Sequence, residues 1–129
     1  MKHLLPEGWQ RPKGYSNGIA VNGTQVYVAG MIGWNEKEEL ADGFVAQFRQ
    51  ALDNTVQVLA EADAGPEHVV RMTWYVKGLD AYRDNLEGIG GAWRDLMGRT
   101  FPTMAVVGVT ELVERDALIE IETTAVIPD

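Results

Sequence analysis

Residues 101–126 read FPTMAVVGVTELVERDALIEIETTAV, two runs rich in apolar and β-branched residues joined by the charged connection Glu114–Asp116. Thr103 to Thr110 and Leu118 to Val126 therefore read as strands. In the second run Glu120 and Glu122 alternate with Ile119 and Ile121, the pattern of a strand with one face on a core and the other toward solvent. Met104 to Val109 differs, being apolar on both faces. A sheet carrying such a strand needs a cover on its second side as well as its first.

Working upstream, Val69–Val76 (VVRMTWYV) puts Val70, Met72, Trp74 and Val76 on one face and Arg71, Thr73 and Tyr75 on the other, a third strand. Between these strands, Tyr82, Leu86, Ile89, Trp93 and Leu96 share one helical stripe. Gly88, Gly90 and Gly91 interrupt that stripe at about 1 kcal/mol each relative to Ala, so the helix is expected to be loosened or closely packed there. Phe44, Phe48, Ala51, Leu52, Thr55, Val56 and Leu59 repeat at helical spacing and predict an amphipathic helix, ended near Asp63-Ala64-Gly65-Pro66. Ile19–Val21 and Gln25–Ala29 read as strands, and Asn22-Gly23 between them is a strong signal for a β-hairpin. Gly30 to Asp42 reads as loop. The resulting order is ββαβαββ, an α/β layer architecture with two helices on one face of a mixed sheet. Two helices cover one side only, so self-association is the simplest cover for the other.

A chain of 129 residues with 46% hydrophobic content is sized for a single domain, here 1–129. It has no cysteine and two histidines, His3 and His68, which leaves no thiolate chemistry and no conventional zinc set. The start, MKHLLPEGWQRPKG, holds too short an apolar run for a signal core or a membrane span, and the expectation is a soluble cytoplasmic protein. A net charge of −8 disfavours nucleic-acid binding.

Gly14-Tyr15-Ser16, VYVAGMIGW (26–34), FRQALDN (48–54), VVRMTWYV (69–76), and FPTMAVVGV with ALIEIETTAV follow one another in an order and spacing that resembles the RidA family, also called YjgF or L-PSP-like proteins. The resemblance spans nearly the whole chain. It implies a chorismate-mutase-like fold, a homotrimer whose sheets close into a barrel, and clefts between subunits. Typical members are similar to imine and enamine deaminases, which hydrolyse reactive 2-imino acids to 2-oxo acids and ammonia without a cofactor. Some relatives carry the older labels endoribonuclease and translation inhibitor, which the charge of −8 opposes. The family's carboxylate-gripping Arg falls at Met104, and a thioether cannot make a two-pronged grip on a carboxylate. Losing one partner of a buried charge pair costs on the order of 2 to 5 kcal/mol, so simple 2-imino acids are not the expected substrate.

By the same resemblance the cleft Glu maps to Glu120, the pocket Tyr to Tyr15, and the strand-end Ser-Gly to Ala29-Gly30. Glu120 is then the catalytic residue, orienting the water that adds to C=N, whereas the alternation alone favours a solvent-facing acid. Met104 and Val106, with Met31 or Trp34, would form a less polar pocket floor. Tyr15 can donate its phenol to a ligand or pack on a neighbouring subunit. Gly30 either leaves room for backbone contact with a ligand or simply punctuates the strand. The family's early second-helix Asn has no clear equivalent around 85–87. Arg71, Arg94 and Arg99 are alternative anchors, Arg99 being nearest the FPT segment. His68 reads as a solvated loop residue. The function implied is hydrolysis of an imine or enamine other than a simple 2-imino acid, with no cofactor, metal, nucleic-acid or membrane partner. A trimeric small-metabolite-binding protein without chemistry is the alternative.

Overall fold

In the computed structural model, which describes Met1 to Asp129, the chain runs β1 (Lys2–Leu4), β2 (Gly18–Ala20), β3 (Gly23–Ile32), α1 (Phe44–Ala60), β4 (Val69–Lys77), α2 (Leu79–Arg83), α3 (Leu86–Met97), β5 (Thr103–Val109) and β6 (Ile119–Pro128). The four longer strands form one mixed sheet in the order β3-β6-β4-β5, with β4 and β5 parallel and the other pairs antiparallel. The α+β architecture expected from the periodicities is thus present.

Strand alternation decides what each face carries. Trp74 is the register partner of both Val106 and Ile121, and Met72 of both Met104 and Thr123, so these rows share the face covered by the helices. Phe48, Ala51, Leu52 and Leu59 of α1 meet them there, all fully buried, and Ile89, Ala92, Trp93 and Met97 of α3 complete the core. Phe48 stacks edge-on against Trp74 at 4.7 Å between ring centres. Close approach of the two long helices depends on Gly88, where a Cβ would lie 2.9 Å from a Val45 methyl carbon. Tight packing therefore explains this glycine, whereas Gly91 has open space around it.

Two expectations are corrected. The strands flanking Asn22-Gly23 exist but do not pair with each other: β2 pairs with β1, and β3 crosses to β6. The long apolar β6 offers β3 a full-length partner, which a three-residue β2 cannot. The second helix is broken into α2 and α3 at Asp84-Asn85, where Asn85 leaves the helical backbone and its side chain caps back to the Ala81 carbonyl at 2.6 Å. The uncovered face of the sheet is as the alternation predicts, polar on β4 and β6. It presents Arg71, Thr73, Tyr75, Glu120 and Glu122, and only β5 contributes an apolar row there through Ala105, Val107 and Val109. No helix is long and apolar enough to cross a membrane.

Candidate functional site

Tyr15 lies far from β5 in sequence and is brought to it by the next residue. The Ser16 N–H donates to the Pro102 carbonyl at 3.0 Å, the Ser16 hydroxyl donates to the Phe101 carbonyl, and a ring nitrogen of His3 lies 3.0 Å from that hydroxyl. These bonds pin the N-terminal segment against the start of β5. Tyr15, Met104 and Val106 thereby line one cavity of about 740 Å³ between the helix-side face of the sheet and α3. Its walls are aromatic, from Trp74, Tyr82, Trp93 and Phe101, and its rim carries Lys13, Arg94 and Arg99. Leu86, in the first turn of α3, occupies the region where the sequence left the second-helix contribution open.

Glu120 and Gly30 stand elsewhere. Glu120 is adjacent to Ile121 on β6 and so points to the opposite face of the sheet from Met104 and Val106. Between the pairs Val28–Thr123 and Met31–Ile121, β3 has two residues, Ala29 and Gly30, where β6 has one. This bulge leaves Gly30 lying against the glutamate: a Cβ on Gly30 would sit 2.7 Å from a Glu120 carboxylate oxygen. The glycine is therefore a close approach within a bulge and does not end the strand, which runs on to Ile32. The structure brings Glu120 to Gly30, and Tyr15 to Met104 and Val106, but does not join the two groups within one chain.

Met31 does not join the expected pocket floor. The bulge turns its side chain to the helix side, where it packs against the core on β3, separated from β5 by β6 and β4. Trp34 instead bridges to Leu40, with its carbonyl accepting from Asn54 at 2.8 Å. Arg71 projects from the uncovered face and lines no part of the Met104 cavity, whereas Arg94 and Arg99 both do. His68 is half-buried rather than solvated: its Nδ1 accepts the Gly65 N–H at 3.0 Å. Of the cavity aromatics, Tyr82 and Trp93 were visible in the sequence only as part of a helical stripe, since a helical period does not distinguish a core from the wall of a cavity.

On the uncovered face the Tyr75 hydroxyl donates to Glu122 at 2.6 Å. That hydrogen bond, followed by desolvation and repulsion from Glu122 and Glu120, raises the Tyr75 pKa above 10.0, with Arg71 opposing. No group of three or more His, Asp or Glu side chains stands within reach of a common metal ion.

The profile of the family described as endoribonuclease L-PSP matches residues 9–127. A RutC family protein of Aquifex aeolicus is 33% identical over 113 residues, covering 87% of each chain. A RutC family protein of Pyrococcus abyssi is 32% identical over 125 residues, covering 95% of this chain and 94% of its own. Among solved structures, a Rid-family protein of unknown function from Yersinia pestis superposes with a TM-score of 0.85 at 32% identity, covering 98% of both chains. Profile, sequence and backbone agree over nearly the full length, and the chain belongs to the endoribonuclease L-PSP family, the family of the RidA and RutC proteins.

Proposed function

We propose that the protein is a hydrolase of a reactive imine or enamine larger than the simple 2-imino acids, acting as one 129-residue domain in the cytoplasm, within a cleft shared between subunits of a homotrimer. The observation that carries the proposal is the division of the site residues. Tyr15, Met104 and Val106 line a cavity behind the edge strand β5, while Glu120 lies against Gly30 on the other face beside the β3 bulge. Apposing one copy's β5 edge to another's Glu120 region joins the two groups and also covers the apolar row of Ala105, Val107 and Val109.

The chemistry needs a water and a proton shuttle, and no cofactor. Water adds through its oxygen to the C=N carbon while Glu120 takes one of its protons, giving a carbinolamine. Glu120 returns that proton to nitrogen, making it NH2; the remaining O–H proton then passes through Glu120 to the same nitrogen as C=O forms, the C–N bond breaks and ammonia leaves. Backbone groups at the bulge would hold the substrate, and Met104 would shape the apolar side.

Ammonia release from a panel of freshly generated imines, small and large, tests this with wild type and Glu120→Gln. Turnover of a bulky imine that falls at least about 100-fold in Glu120→Gln is expected, in line with the usual contribution of a general acid–base group. Turnover unchanged by the substitution removes Glu120 from the mechanism, and no turnover with any imine makes the second reading the better one. That reading is a trimeric metabolite-binding protein, favoured by Met104, which offers no donor in place of the family's Arg. An RNA-cleaving role would require salt-sensitive RNA binding by a chain of net charge −8.

A further inference from the structure

The cavity beside Met104 has a charge that the chain as a whole does not. The protein carries a net charge of −8, yet the cavity lining includes Lys13, Arg94 and Arg99 and neither an Asp nor a Glu. The chain's ion pairs are Arg49–Asp95, His68–Glu67 and Arg83–Asp80, so none of these three cations has a carboxylate partner. Single surface arginines need no explanation. Three uncompensated cations around one apolar concavity set a local positive potential inside an acidic molecule, which is the field an anionic ligand seeks.

Backbone features direct the two arginines. Gly90 also lines the cavity, and a Cβ built on it would lie 3.4 Å from an Arg94 Nη1, so the guanidinium lies along the bare backbone of α3. Gly98, at φ 64, ends α3 in a conformation that side chains resist and turns the chain so that Arg99 reaches the same cavity.

We infer that this cavity binds an organic carboxylate with an aromatic or similarly bulky apolar body, its charge held by Arg94 and Arg99 from the end of α3 and the turn after it. The inference rests on the same cavity being the ligand site of the proposed function. The planar guanidinium fork suits a carboxylate, and the walls of Tyr82, Trp93 and Phe101 suit a ring. Met104 is then compatible with an acidic ligand, because the anchor enters from the helix side and the thioether packs on the body.

Calorimetric titration of the intact protein with 3-phenylpropionate, 3-phenylpropanamide and propionate tests it, in wild type and in the Arg94→Gln/Arg99→Gln double variant. The expected result is saturable binding of 3-phenylpropionate, at least tenfold tighter than either the amide or propionate. The double variant should lose at least tenfold for the acid while binding the amide as before, with an unchanged circular dichroism spectrum. Equal affinity for acid and amide, acid binding undiminished in the double variant, or no saturable binding of the acid to wild type would each overturn the inference. Ammonia release is not read in this experiment. An inert protein that binds the acid sinks the deaminase reading alone, and a deaminase indifferent to the carboxylate sinks this inference alone.

Discussion

Tyr75 and Glu122 form a hydrogen bond on the uncovered face that a proton titration can read directly. The neutral phenol donates to the carboxylate, and ionising it would set two negative charges against each other, so the folded chain holds the Tyr75 proton to higher pH than the unfolded chain does. The folded state therefore binds more protons above pH 10.0, and the stability this supplies is present below that pH and lost as pH rises through the higher folded value. Absorbance titration near 295 nm should show one tyrosine ionising later than an ordinary phenol. Glu122→Gln keeps an acceptor but removes the charge, and should bring that tyrosine back toward the usual range. A titration unaltered by the substitution would show that the contact is not maintained in solution. Glu120, one step along the same strand face, contributes repulsion to Tyr75 while its carboxylate rests against Gly30, so its place is held by the missing side chain there.

The elements are joined by one buried side chain that periodicity does not reveal. Gln47 on α1 is 4% exposed, donates through Nε2 to the carbonyls of Ala41 and Asp116 at 3.2 Å each, and accepts the Leu118 N–H at 2.8 Å. It ties the helix to the loop before it and to the lead-in of β6, the strand that carries Glu120. Beside it, Gly33 admits the backbone of α1, since a Cβ there would lie 2.4 Å from the Gln47 carbonyl oxygen. Gln47→Ala leaves two carbonyls and an N–H without partners in a buried place, and should cost on the order of 2 to 4 kcal/mol in urea-unfolding free energy. A loss below about 0.5 kcal/mol would mean that water replaces all three bonds. In the sequence Gln47 is a polar residue beside the stripe that includes Phe44, Phe48 and Ala51; its role depends on two loops distant along the chain.

At the scale of the whole molecule, the two halves of the proposed site stand on opposite faces of one sheet, which makes subunit mixing the informative measurement. Glu120→Gln loses the glutamate, and Val106→Trp fills the cavity; each alone should be inactive on whatever imine the wild type hydrolyses. Co-refolding the two in equal amounts should restore about a quarter of wild-type turnover, because random assembly pairs an intact cavity with an intact neighbouring glutamate in about one cleft in four. A site contained within one chain would show no recovery. Sedimentation equilibrium should return three copies of the 14.2 kDa chain, and a monomer at micromolar concentration would remove the shared cleft altogether.

The alternation of Ile119–Glu122, the face pattern of Val69–Val76 and the stripe of α1 were sufficient in the sequence to establish strands, a helix, the faces they bury and the α+β class, because these depend on periods of two and 3.6 residues that any local stretch displays. Tyr15, Met104, Glu120 and Gly30 were singled out by the order of short motifs, as what the family resemblance implies. Pairing was not: Asn22-Gly23 signals a hairpin locally, and the competition that gave β3 to β6 was settled by a partner about a hundred residues away. The β3 bulge, the separation of Glu120 from Met104, and the gathering of Arg94, Arg99 and Trp74 around one cavity were decided only in the tertiary structure. Each depends on which strands are neighbours and on where α3 lies across them, and those relations come from packing between distant segments, which no local period encodes.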